Sequence, residues 1–227
     1  ESRQLDWHLK NMESNLISRA KATSSSMSAK LQGVIQENVK SKKKVQKRGK
    51  RMCGKTLHRL SINDPRVFVK KTSKKDTDTI VELQLDNSAS MTRERTSTGD
   101  TLLAVGKQAQ LALTLALGKI PKVSVTASAF PATRFRENTC FELLSEGENV
   151  NKLSGRLVQL KGSGSHTPSA HAMWHSIKKV VDSPKARKVI LFITDGYPTV
   201  IDETGDAFMD KRLLRDTVMT AEENGIV

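Results

Sequence analysis

Asp86-Asn87-Ser88-Ala89-Ser90 follows an apolar, β-rich run, Thr79-Ile-Val-Glu-Leu-Gln-Leu85. A strand that ends in a D-x-S-x-S loop sets one carboxylate and two hydroxyls at its carboxyl end. The alternating spacing turns all three side chains to one side of the loop. All are hard oxygen donors, suited to Mg²⁺ or Mn²⁺ rather than to zinc or copper. Two further oxygen-bearing residues stand downstream, Thr167 in His-Thr-Pro-Ser and Asp195 in Phe-Ile-Thr-Asp-Gly. Each piece alone has an ordinary reading: an Asx or Ser turn closing a strand, a Thr-Pro helix start, an Asp-Gly turn. Together they form a five-residue set, Asp86, Ser88, Ser90, Thr167 and Asp195, drawn from three segments.

Charge assigns the roles. Mg²⁺ prefers six oxygens and keeps several waters. Ser88 and Ser90 would bind through neutral hydroxyls, and Thr167 directly or through a water. Asp86 and Asp195 would accept hydrogen bonds from bound waters and hydroxyls. An ion with few anionic ligands stays electrophilic, and its open position suits a carboxylate from another protein. That is binding chemistry rather than turnover. The enzyme readings lack their residues. A dehalogenase-type phosphatase needs a second Asp at position 88, where this chain has Ser. Neither G-x-S-x-G nor a P-loop is present. His171 and His175 have the spacing of a zinc helix, but position 172 is Ala, not the Glu of H-E-x-x-H. No catalytic residue and no organic cofactor is expected. His166, beside Thr167, is a candidate modulator of the metal loop.

The elements that must position these groups read as alternating strands and helices. Strands are expected at Thr79–Leu85, Val123–Phe130, Phe141–Leu144 (an edge) and Lys188–Thr194. The last is a near-continuous apolar run, the pattern of a parallel strand buried on both faces. Helices are expected at 98–117, entered at Ser97 or Thr98, at 150–160, from Pro168 to Val181, and at 206–224 with Gly225 as C-cap. Ile226-Val227 has the look of a strand's first residues, cut off. This order predicts an α/β fold, a Rossmann-like, mostly parallel sheet with helices on both faces. Ligands bind such sheets beyond the strands' carboxyl ends, at the topological switch point, and Asp86 and Asp195 both fall there.

Upstream, residues 1–22 carry an apolar stripe at helical spacing, Ser24-Ser25-Ser26 reads as a break, and Leu31, Ile35 and Val39 suggest a second helix. The run Lys42-Lys43-Lys44-Val-Gln-Lys47-Arg48-Gly-Lys50-Arg51 is either a solvated connector or a surface for an acidic protein or nucleic acid. No aromatics interleave with its charges, which speaks against base stacking. The expected division is a basic helical extension over 1–69 and a domain over 70–227. The chain has 227 residues and a net charge of +14, of which +13 lies in residues 1–80. It begins at Glu1 and reads as a fragment or a processed product. No stretch approaches the roughly 20 apolar residues of a membrane span. Two cysteines, Cys53 and Cys140, make no disulfide framework and point to free thiols in a reducing cytoplasm.

The set from Asp86 to Asp195 resembles the metal-ion-dependent adhesion site of von Willebrand factor type A (VWA) domains. Leu57-His-Arg-Leu60 and Asn63-Asp-Pro-Arg-Val-Phe68, preceded by a basic segment, are similar to the cobaltochelatase CobT class and to activators of nitric oxide reductase. That resemblance implies a non-catalytic subunit working with a MoxR- or CobS-like AAA+ ATPase on a client protein, in metal insertion or protein maturation. Asn87 and Ala89 depart from the more usual D-x-S-G-S loop, and Glu82 and Gln84 interrupt a strand that is usually apolar. The alternative is a nucleic-acid-associated VWA protein whose basic leader binds phosphate.

Overall fold

The computed structural model describes residues 2–37, 43–48, 52, 54–62, 64–71, 78–132, 139–162, 166–196, 198–201, 207–208 and 211–227. Cys53, Asn63, Tyr197, the 163–165 part of the glycine–serine loop and the expected helix start at Asp206 lie outside this set. Two compact units divide the chain, residues 1–32 with 78–227, and residues 33–77. The division departs from a boundary near residue 70, since residues 1–32 group with the sheet.

In the larger unit, β3 (Thr79–Asp86) runs parallel to β4 (Val123–Phe130) on one side and to β6 (Arg187–Ile193) on the other. β5 (Phe141–Leu144) closes the β4 edge antiparallel, giving the order β5-β4-β3-β6. Ile226 bridges Lys188 in parallel, beside β6. The sheet is therefore α/β and mostly parallel. The chain leaves β3 toward β4 and later returns to the opposite side of β3, which makes the carboxyl end of β3 the switch point.

Alternation along β3 sorts its two faces. Leu85 meets α3 (Leu102–Leu117) at Gly106, where an added Cβ would stand 2.7 Å from Leu85 Cδ1. Ile80 packs in a buried cluster with Ile177 and Val180 of α5 (Ser169–Val181), Ala221 of α6 (Lys211–Glu223) and Ile226. α4 (Lys152–Gln159) packs against β5 and α3. Strand β6 is only half-buried, and Leu191 is 37% exposed. The expectation of burial on both faces fails because α3 lies over β3 and β4 rather than over β6.

Three helix expectations are corrected. The first helix, α1, runs unbroken from Ser2 to Glu37. The serines are accommodated in it with their hydroxyls turned back on the preceding turn: Ser24 to Lys21 O, Ser25 to Ala22 O, Ser26 to Thr23 O and Ser28 to Ser24 O, at 2.9–3.1 Å. Ala20 and Ser24 of this helix are buried, and Glu13 accepts from the Ser154 hydroxyl at 2.6 Å. Helix α3 starts at Leu102, four residues later than expected, with Thr101 accepting from Ala104 N as its N-cap. Before it, α2 (Ser90–Arg93) gives way to a tight turn closed by Thr96 N to Asp100 O at 2.9 Å, with Gly99 at φ +85°. Only glycine accepts that backbone freely. After β6, β7 (Val200–Ile201) pairs antiparallel with β8 (Ala207–Phe208), so α6 begins at Lys211. Gly225 ends α6 at φ +72°.

In the smaller unit, β1 (Lys43–Gln46) pairs antiparallel with β2 (Phe68–Lys71). Part of the basic run, read as either a connector or a surface for an acidic partner, is thus a strand. A 3₁₀ helix, Gly54–Ile62, lies between them in sequence.

Candidate metal centre

Four of the five expected residues join in one hydrogen-bonded chain. Asp86, the last residue of β3, is fully buried, and its Oδ1 accepts from Ser88 N at 2.8 Å. The Ser88 and Ser90 hydroxyls stand 2.9 Å apart, and Ser90 donates to Asp195 Oδ1 at 3.3 Å. Asp195 follows β6, so the parallel pairing of β3 with β6 brings the two carboxylates to the same end of the sheet. Thr167 joins from a third segment. It is buried, and a Cβ built on Gly196 would lie 3.8 Å from its hydroxyl oxygen. That sets the Thr167 hydroxyl beside the residue that follows Asp195.

Charge in this pocket is incompletely compensated. Burial pushes the Asp86 carboxyl above its ordinary value. Hydrogen bonds from Thr194 and Ser88 oppose the rise, and the Asp195 charge adds to it. Asp195 Oδ2 is buried and has no hydrogen-bond partner. Such an orphaned anionic oxygen is costly unless something cationic or a donor meets it. The donor set around it is all oxygen: two carboxylates and three hydroxyls. A hard divalent cation fits both facts. Among the described residues, no group of three or more His, Cys, Asp or Glu side chains could hold a metal. A softer, zinc-type cluster is therefore not present there. His171 and His175 are half-buried on α5, each with an unpartnered, buried Nδ1, and His166 is half-buried beside Thr167.

Three positioning residues escaped the sequence reading. Thr194 donates to Asp86 Oδ2 at 2.7 Å and accepts from Gly196 N at 3.2 Å, tying β6 to the end of β3. Thr199 braces Thr167 twice, through Thr167 N to Thr199 Oγ1 at 2.6 Å and Thr199 N to Thr167 O at 3.0 Å. Asn87 accepts from Gly162 N at 3.0 Å and donates to Pro131 O at 3.3 Å, so the residue that departs from the usual loop pattern holds two neighbouring loops. The signal for Thr194 was present in Phe-Ile-Thr-Asp-Gly, a hydroxyl one residue before the ligand. Thr199 and Asn87 gave no signal, because their partners are backbone groups remote in sequence.

No protein-family model matches the sequence. No curated protein matches it either. Among solved structures, the SpRpn10 VWA domain aligns at a TM-score of 0.50 and 11% identity, covering 65% of this chain and 71% of that one. The fold is that of a VWA domain. Two pilus proteins also align. The SpaC adhesin of Lactobacillus rhamnosus GG, in its open conformation, gives a TM-score of 0.49 at 12% identity, over 65% of this chain and 23% of that one. The vWF domain of the tip protein Mfa5 of Porphyromonas gingivalis gives 0.41 at 17% identity, over 53% and 38%. This chain thus spans about a quarter of the pilus adhesin's length. The VWA fold accounts for the site's location: the D-x-S-x-S loop, the loop before α5 and the loop after β6 meet at the sheet's carboxyl end. Among the described residues, no helix is long and apolar enough to cross a membrane.

Proposed function

We propose that this VWA domain is a divalent-metal-dependent protein-interaction module. Ser88, Ser90 and Thr167 would hold Mg²⁺ or Mn²⁺ through hydroxyls, with Asp86 and Asp195 anchoring its waters. The ion, when bound, supplies an electrophilic position for a partner's carboxylate. The observation that carries this reading is the buried, unpartnered Asp195 Oδ2 at the end of the Ser88–Ser90–Asp195 chain. The chain's own residues do the rest. Thr194 and Ser88 N orient Asp86, Thr199 fixes the Thr167 backbone, and Asn87 holds the surrounding loops. On this reading the Asp195 carboxylate that accepts from Ser90 anchors the ion's waters rather than serving as a base.

The partner class follows from the leader's resemblance to the CobT and nitric oxide reductase activator classes. It is a MoxR- or CobS-type AAA+ ATPase in the cytoplasm, acting with this chain on a client in metal insertion or protein maturation. Co-precipitation with such an ATPase from the same genome tests this. Capture is expected in Mg²⁺, and loss in EDTA and in Ser88→Ala. Capture unaffected by both would remove the metal face from the interaction.

A further inference from the structure

The smaller unit holds most of the protein's charge and a backbone arrangement that makes that charge unfavourable by itself. Residues 33–77 contain fifteen Lys and Arg against three Asp and Glu, a net +12 of the chain's +14. Antiparallel pairing sets Lys43 opposite Lys71 and Lys44 opposite Lys70. Like charges directly opposite in an antiparallel ladder are destabilising. β1 then leads into Lys47 and Arg48, both exposed in a bend. Six cationic residues therefore fall on this short ribbon and its bend, and none of its four register pairs contains a carboxylate. The one ion pair described in this unit, Arg66 with Asp64 at 2.8 Å, lies outside the ribbon.

From this juxtaposition we infer that the β1–β2 ribbon is a binding element for duplex DNA, working through phosphate contacts and independent of the metal site. Three observations select that polyanion. The element is a two-stranded ribbon, a form that the B-DNA major groove, about 12 Å wide, admits. Its four-residue strands, at about 3.4 Å per residue, span roughly 13 Å, on the scale of that groove. Across residues 33–77 the only aromatic residue is Phe68, so the stacking platform that a single strand needs is missing. An A-form RNA duplex has a deep, narrow major groove that such a ribbon cannot enter. Counterion release supplies the affinity, so binding is independent of sequence and steeply dependent on salt.

The test is a titration of the full chain with a labelled DNA duplex over a range of salt. An RNA duplex of the same sequence, single-stranded DNA and phosphatidylserine–phosphatidylcholine vesicles serve as comparisons. With six cations engaged, the log–log salt slope is expected near about −5. The variant Lys43→Gln/Lys44→Gln/Lys70→Gln/Lys71→Gln should flatten it by about 3.6 and weaken binding by about 100-fold at low salt. Removing the lysine–lysine repulsion should leave the thermal midpoint unchanged or raise it. If that variant does not fold, Lys47→Gln/Arg48→Gln in the exposed bend provides the reading, with a slope flatter by about 2. An unchanged slope in the variants would overturn the inference. So would vesicle binding without duplex binding, or equal affinity for the RNA duplex, the single strand and the DNA duplex.

Discussion

The two faces of β3 are built on opposite terms. Toward α3 it presents Val81, Leu83 and Leu85, at most 2% exposed, so its own side chains on that side are all apolar, and the one polar tie there comes from Gln110 of α3, which donates to Leu83 O at 2.9 Å and Ser128 O at 3.0 Å. Toward α5 it presents Ile80 and then Glu82, Gln84 and Asp86, all fully buried and all polar. Each polar group on that side has partners on other elements. Glu82 accepts from the Thr126 hydroxyl, from Ser128 at 2.6 Å and from Lys179 of α5 at 3.4 Å. Lys179 also reaches Glu142 at 3.0 Å. Gln84 donates to Ala172 O at 3.3 Å and to Cys140 Sγ at 3.5 Å, and its Oε1 is unpartnered. Asp86 has Thr194 and Ser88. Compensation thus becomes less complete along the strand, from a paired Glu82 to the underpaired site at Asp86 and Asp195. An apolar face specifies the fold, whereas the polar face reserves unmet charge for the end where a ligand can reach it.

The strongest way to break this contrast is to remove the partner of Glu82. Lys179→Met leaves a buried carboxylate with only hydroxyl donors and should cost about 3–5 kcal/mol in denaturant unfolding. A loss below about 1 kcal/mol would mean that the pair contributes little. On the other face, the test is steric. Gly106→Ala would place its Cβ against Leu85 Cδ1 and the Met91 methyl, 3.2 Å away. Overpacking of this kind costs about 1–3 kcal/mol, although the nearest atom ends a flexible side chain. A neutral result would show that Leu85 can rotate away.

A smaller effect separates the site from the core. Asp86 has its carboxyl raised by burial, so its stabilising contribution is complete below its ordinary value of 3.8. The contribution is lost as pH rises through the folded value, because the folded state there holds a proton that the unfolded state has released. In EDTA, the thermal midpoint of Asp86→Asn should therefore gain on that of the wild type as pH rises above about 4. A parallel pH profile for the two proteins would assign the burial no energetic consequence. The smallest expected change in stability accompanies the most specific chemical readout. Burial, the largest cause, lifts the Cys140 thiol from 9.0 to about 11. Alkylation near neutral pH should run about 100-fold slower than for an unperturbed thiol. Alkylation at the ordinary rate would show that the Gln84 end of the polar face opens to solvent.

The contrast between the faces also marks what was legible in the sequence. Val123–Phe130 and Phe141–Leu144 appear at their expected bounds, and β3 extends by only one residue, because apolar alternation and flanking turns are local signals. The site's four-residue chain was legible for the same reason: its members sit at strand ends. What the sequence hid depends on partners distant along the chain. Glu82 read as an interruption of an apolar strand until Lys179, 97 residues later in the numbering, stood against it. The serines of α1 read as a break because serine competes with the helix backbone, yet here their hydroxyls bond within it. Lys43 and Lys44 read as part of a connector or of a surface for an acidic partner, since nothing local announces pairing with Lys70 and Lys71.

The account stands or falls on the ion. Mn²⁺ binding, followed by water-proton relaxation in the full chain, should show a single site in the wild type that Mg²⁺ displaces. It should be lost in Asp86→Ala and sharply weakened in Ser88→Ala, while Asp195→Asn retains the fold and loses affinity. Equal Mn²⁺ binding by the wild type and Asp86→Ala would contradict the assignment of a metal to this end of the sheet.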